Sequence, residues 1–203
     1  MTEPNASFVI RESEEKGRHV VAVRDIPAGD LILVDRPLLV SPHTRSKAQC
    51  LECARLVSGT FLCPSCNFPM CGPVCCEGET HLQECRALHR VNFEADIEEV
   101  SERDDHYAAI LPLRCLHLAE TDSEGWASFQ SFLSHQEERE REDRDLQDYH
   151  AEHSVQFVRD VCERAEDYSE QDIHRMIGIM STNALDISLG TDRHYSYHSR
   201  LND

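Results

Sequence analysis

Residues 50–85, CLECARLVSGTFLCPSCNFPMCGPVCCEGETHLQEC, decide how this chain of 203 residues is read. They hold eight of its ten cysteines, and seven of these with one histidine fall into four close pairs: Cys50 with Cys53, Cys63 with Cys66, Cys71 with Cys75, and His81 with Cys85. A CxxC turn keeps both thiolates on one side of a tight knuckle, about 3.5–4 Å apart, which is the edge of a tetrahedron with ~2.3 Å metal–sulfur bonds. His81 and Cys85, four apart, share one face of a helical turn and can grip one ion together.

Eight ligands make two tetrahedral zinc sites. Four protein ligands at each leave no position for water or substrate, so both sites read as structural. Cys76, beside Cys75, is a spare thiol or a rival ligand, and Cys75 is taken as the ligand. Pairs used in sequence order would give two beads, whereas first with third and second with fourth would give an interleaved cross-brace; the spacing alone leaves both open. So short a segment, rich in Cys, Gly and Pro, buries too little apolar surface to fold alone, and zinc worth on the order of ~10 kcal/mol per site supplies the difference.

Metal is preferred to disulfides because the chain reads as intracellular. Residues 1–18 carry four acidic and three basic side chains and no apolar run longer than Phe8-Val9-Ile10, so no secretory signal is expected. Thiols in a reducing compartment stay reduced. No stretch has the ~20 apolar residues of a membrane span, and Asn5-Ala6-Ser7 reads as a chance sequon. Cys115 and Cys162, outside the ladder among apolar helical residues, read as core packing.

Upstream of the ladder, residues 7–42 alternate short β-rich runs (8–10, 19–23 and 31–34) with Pro27, Gly29 and Pro37, which predicts strands and turns. Downstream of Val91 the period is helical. Val155, Val158, Cys162 and Ala165 form one apolar stripe; Ile173, Met176, Ile177, Met180 and Ala184 form another, opened by a Ser169-x-x-Asp172 start signal. The net charge of −18 sits almost wholly in residues 94–172, which hold 24 acidic and 7 basic side chains. It argues against direct nucleic-acid binding. Within that segment EEREREDRD, at 137–145, predicts a solvated helix face with Glu137–Arg141 and Glu140–Arg144 paired.

The ladder CLEC, CPSC, MCGPVCC, HLQEC resembles a MYND zinc finger. In that family the first and third pairs share one zinc and the second and fourth the other. The resemblance therefore implies Cys50, Cys53, Cys71 and Cys75 on one ion, and Cys63, Cys66, His81 and Cys85 on the second. Residues 17–42, GRHVVAVRDIPAGDLILVDRPLLVSP, resemble the opening of a SET domain interrupted by such a finger. ILPLRCLHL (110–118), GWASFQSFLSH (125–135) and IHRMIGIMSTNALDI (173–187) are similar to segments that follow the finger in SET-and-MYND (Smyd) proteins, especially the SmydA branch. The implied fold is α+β: a β-rich N-terminal part of a split SET domain at 1–49, the inserted finger at 50–85, an acidic helical region at 86–172, and the beginning of the core SET segment at 173–203.

The activity this resemblance implies is methylation of protein lysines with S-adenosylmethionine. In the family, the turn matched by Lys16, Gly17, Arg18 and His19 lies against that cofactor, and the Asn matched by Asn183 lies close to the same pocket. Lys16, Gly17, Arg18 and Asn183 are thus the cofactor-site candidates. Many relatives have Gly where this chain has His19. The family's Asn-His-Ser-Cys motif, catalytic Tyr and post-SET cysteines follow the NALDI-like segment, and none of those motifs occurs after Ile187, where Tyr195 and Tyr197 stand in a context that matches nothing catalytic. The expectation is a chain that stops before the catalytic core, with no catalytic residue assigned. Two structural zinc ions are the expected cofactors, with S-adenosylmethionine only in a full-length form. Fingers of this family bind short proline-rich peptides of transcriptional regulators. The expected partners are therefore such peptides, with histones or other proteins as lysine substrates, in nucleus or cytoplasm and away from membranes.

Overall fold

A computed structural model describes residues 7–34, 36–42, 47–95, 107–108, 110–142, 144–145, 151–164, 166–186 and 197–199. The fold is α+β and divides into two compact units, residues 1–36 and 37–203.

In the first unit β1 (Phe8–Ser13) and β2 (Gly17–Ala22) pair antiparallel, Phe8 opposite Ala22 and Ser13 opposite Gly17. The three-residue connection needs a left-handed residue where the ladder resumes, and Gly17 supplies it at φ +60° without the clash of a Cβ. Inside the turn Lys16 N–H donates to Ser13 Oγ at 3.2 Å. At the open end Val23 N–H donates to Ser7 O at 3.0 Å and Arg24 to Ser7 Oγ at 2.6 Å. The strand expected at 31–34 does not form: Leu31 and Val34 are 76% and 72% exposed in irregular backbone. β-propensity expresses packing against a neighbouring strand, and the described sheet of this unit holds only β1 and β2.

The second unit begins with β3 (Ser41–Pro42) and the cysteine-rich segment 50–85 that resembles a MYND finger. Its helices are α1 (Pro73–Cys76), α2 (Glu79–Arg90), α3 (Ile110–Thr121), α4 (Ser123–Gln130), α5 (Gln136–Glu142) and α6 (Glu170–Asn183). β4 (Leu185–Asp186) and β5 (Tyr197–Ser199) complete a small antiparallel sheet of order β3-β5-β4. Among the described residues no helix is long and apolar enough to cross a membrane.

Helix α3 joins the two cores of this unit. It is apolar nearly all round, which makes it a buried helix rather than a surface one. Its Ile110 and Leu113 pack with Leu51, Phe68, Met70 and Leu88 of the finger side, while its Cys115, Leu116 and Leu118 pack with Phe129, Val158, Ile173 and Ile179. The Cys115 thiol donates to Met180 Sδ at 3.2 Å, and Cys162 is 7% exposed, so both behave as core residues.

Local signals set the helix starts. Asp122 Oδ1 accepts Gly125 N–H at 2.9 Å ahead of α4. Ser169 and Asp172 form a reciprocal capping box at the head of α6: Ser169 Oγ accepts Asp172 N–H at 3.1 Å and Asp172 Oδ2 accepts Ser169 N–H at 2.9 Å. The stripe of Ile173, Met176, Ile177 and Met180 is buried as predicted, while Ala184 falls just past the helix end. Gly178 lets α6 lie against the preceding loop, since a Cβ there would sit 2.8 Å from Ser134 O.

Two readings need correction. Val155, Val158 and Cys162 are buried, but they sit on π-helical turns (Ala151–Val155 and Phe157–Val161), closed by Cys162 N–H to Phe157 O at 2.9 Å. Steps of three and four residues fit either winding; Ala165 lies outside the described residues. On α5, neither Glu137–Arg141 nor Glu140–Arg144 is paired among the described residues. Arg141 instead reaches Glu142 at 3.7 Å and Gln136 donates to Glu140 at 2.7 Å. Exposed pairs gain little against the entropy of holding two long side chains, so neighbours exchange freely.

Candidate metal centre

The two CxxC motifs build the same local structure. In the first, Ala54 N–H donates to Cys50 O at 2.8 Å and Cys50 N–H to Arg55 O at 2.9 Å; in the second, Asn67 N–H donates to Cys63 O at 2.9 Å and Cys63 N–H to Phe68 O at 2.9 Å. The residue after each second cysteine takes the left-handed conformation, Ala54 at φ +60° and Asn67 at φ +63°. Each knuckle closes with one antiparallel bridge, Gln49 to Leu56 and Leu62 to Pro69. The third pair lies across the turn into α1, which carries Cys75. The fourth lies on α2, where His81, Glu84, Cys85 and Leu88 form one buried stripe at helical spacing.

These elements bring the eight residues together in two groups of four. Cys50, Cys53, Cys71 and Cys75 form one; Cys63, Cys66, His81 and Cys85 form the other, and within each the ligand atoms lie within 4.8 Å of one another. Sγ of Cys53 and Cys71 are 3.4 Å apart, Sγ of Cys63 and Cys85 3.7 Å, and Cys66 Sγ and His81 Nε2 3.4 Å. Each group could hold a metal ion. The first pair joins the third and the second joins the fourth, which is the interleaved alternative and the pairing that the MYND resemblance implies. Cys76 belongs to neither group.

Cys76 nevertheless has a role through its backbone. Its carbonyl accepts the Nδ1–H of His81 at 3.0 Å, which orients the ring and leaves Nε2 as the ligand atom. Burial lowers the His81 pKa below its ordinary value, which favours the neutral imidazole a metal requires. For Cys50, burial pushes the thiol up, but the amides of Cys53, Cys71 and Glu52 aimed at the sulfur outweigh it and the pKa falls. Cys63 is lowered in the same way, by amides of Ser65 and Cys66 acting against burial. Burial and then the neighbouring thiols push Cys75 and Cys85 up to about 11. Sulfurs so close, four in one group and three in the other, resist ionising together until a cation lies among them.

Three arrangements tie the cysteine-rich segment to the elements around it. Glu52, in the first knuckle, accepts the backbone N–H of His81 at 2.9 Å and so satisfies a free donor in the first turn of α2. Arg114 of α3 grips Glu84 of α2 with two hydrogen bonds, Nε to Oε2 at 2.7 Å and Nη2 to Oε1 at 2.5 Å. The same guanidinium donates to Leu51 O at 2.6 Å and to Val40 O. Tyr107 makes a third link, its hydroxyl accepting Gln49 N–H at 2.9 Å and donating to Gln49 O at 3.0 Å. None of these partners was anticipated. The available signal was one arginine inside the apolar run ILPLRCLHL.

The cofactor-site candidates divide between the units. Lys16, Gly17 and Arg18 form the turn and first residues of β2 in the first unit, with Arg18 opposite Glu12. Asn183 is the last residue of α6 in the second, and its amide donates to Leu133 O at 3.0 Å and Ile179 O at 2.7 Å.

No family model matches the chain. Among curated proteins it is similar to the SET domain-containing protein SmydA-8 of Drosophila melanogaster. Isoform A is 35% identical over 106 residues, 49% of this chain and 22% of the relative; isoform B is 30% identical over 92 residues, 41% and 20%. Over the matched residues the chain is similar to these SET domain-containing proteins. The match spans about a fifth of the length of these relatives. The two groups of four possible ligands are the part of this chain whose chemistry the geometry defines.

Proposed function

We propose that residues 50–85 are a MYND-type finger holding two structural zinc ions, and that this part of a Smyd protein docks partner proteins through short proline-rich peptides of transcriptional regulators. The observation that carries the reading is the interleaving of eight ligands into two closed sets. One set has four thiols and the other three thiols with an imidazole, donor sets that suit zinc in tetrahedral coordination. Zinc bound there supplies folding free energy, and the protein's own residues supply the binding surface. A groove of about 540 Å³ beside the first knuckle is lined on one part by the apolar Leu38, Leu39 and Leu118 and on another by polar residues that include Glu52, Gln83 and His117, a mixed lining that supports a peptide with apolar and polar contacts. Elemental analysis should find two zinc ions per chain. Titration with proline-rich peptides should give saturable binding that chelation abolishes. A zinc-loaded chain that binds none of them would overturn the docking role.

The SET domain in the name of SmydA-8 supports a second reading, kinship with S-adenosylmethionine-dependent protein-lysine methyltransferases. On it, Lys16, Gly17, Arg18 and Asn183 would face S-adenosylmethionine in a full-length protein, and histones or other proteins would offer the lysine. It assigns no catalytic residue to this chain. Methyl transfer to a histone by the purified chain would refute that assignment.

A further inference from the structure

The two ligand groups differ sharply in exposure. Cys63, Cys66, His81 and Cys85 are 3%, 0%, 0% and 6% exposed and sit in the core with Phe68, Met70 and Leu88. In the other group only Cys50 is buried; Cys75 is half-buried, and Cys53 and Cys71 are exposed. These two exposed sulfurs come from different pairs, 18 residues apart in sequence, and lie 3.4 Å from each other. A disulfide needs them at about 2.05 Å, an approach of little more than an ångström.

We propose that Cys53 and Cys71 are a redox modification site, which a peroxide converts to a disulfide with release of the metal ion held by their group, while the buried group keeps its own. The inference rests on the reading that both groups hold zinc. Metal-bound cysteines are thiolates, and oxidation follows thiolate character and access. One thiolate attacks the peroxide O–O bond, taking one oxygen to become a sulfenic acid and releasing hydroxide from hydrogen peroxide. The second thiolate then attacks the sulfenic sulfur, forming the S–S bond and expelling the other hydroxide. Two protons from solvent convert both hydroxides to water. Sulfur is oxidised, peroxide is reduced, and the zinc ion keeps its charge but loses two of four ligands. Cys66 and Cys63 are closed to the same attack by the core around them.

The test uses the zinc-loaded chain, hydrogen peroxide as the oxidant, a chromogenic chelator to count released zinc, and non-reducing peptide mapping with circular dichroism. The expected result is loss of one of the two ions, a Cys53–Cys71 crosslink, retained helical signal, and recovery of the ion after reduction in the presence of zinc. Simultaneous loss of both ions, or a crosslink between other cysteines, would overturn the inference. A chain that holds no zinc before peroxide is added defeats the zinc reading instead, so the two failures are distinguishable.

Discussion

Replacing Arg114 with methionine tests how the finger is fastened to the helices. Arg114 and Glu84 are 7% and 3% exposed, and the guanidinium serves two carboxylate oxygens and the carbonyls of Leu51 and Val40. Methionine keeps most of the aliphatic volume but strands a buried carboxylate, at a cost of about 3–5 kcal/mol. Each of the two orphaned carbonyls adds roughly 1 kcal/mol, so a loss of about 5–7 kcal/mol is expected, comparable to the whole stability of a marginal domain. Burial pushes the Glu84 carboxyl up and Arg114 holds it down, so in the variant only the upward push remains. A carboxyl whose folded pKa is raised contributes fully below its unfolded pKa and loses that contribution as pH rises through the folded value. The deficit of Arg114→Met should therefore grow with pH, by up to about 1.4 kcal/mol per unit, and level off above the folded pKa. Urea unfolding followed by circular dichroism, with zinc buffered in excess, measures it. Arg114→Met/Glu84→Leu removes the stranded charge and should recover more than half of the loss and all of its pH dependence. Equal deficits in the single and double variants, with no dependence on pH, would mean that Arg114 acts through packing alone.

Three further outcomes are expected. Cys75→Ser should bind one zinc ion and Cys76→Ser two, by elemental analysis of the purified variants, because only Cys75 lies with Cys50, Cys53 and Cys71. Ser169→Ala removes the capping box at the head of α6 and should lower the unfolding free energy by about 1 kcal/mol in the same urea assay. Ala54→Gly relieves a left-handed alanine at φ +60° and should raise stability by about 1 kcal/mol. Asn67→Gly should gain less, since it also gives up the Asn67 Nδ2 hydrogen bond to Ala95 O at 2.6 Å.

The residues of the two groups were legible because short spacings write themselves into local structure: CxxC makes a knuckle, and His81 with Cys85 makes one helical face. Which pair joins which was not, for that depends on the path of the chain through α1 and α2, and spacing accommodates beads and cross-brace alike. The strand misread at 31–34 failed for a related reason, since apolar β-branched residues specify a strand only beside another strand. The Arg114–Glu84 pair was hidden by distance, its members being 30 residues apart. Yet both ends carried a trace: an arginine alone in an apolar helix, and a glutamate one position before a metal ligand. Glu84 lies on the same buried stripe of α2 as His81 and Cys85. The face that carries His81 and Cys85 of the buried group therefore also presents the carboxylate that Arg114 grips. A metal ion in that group would for that reason be coupled to the packing of α3 through one helix. Loss of the ion from the buried group should weaken the hold on α3 in a way that loss of the exposed group's ion does not.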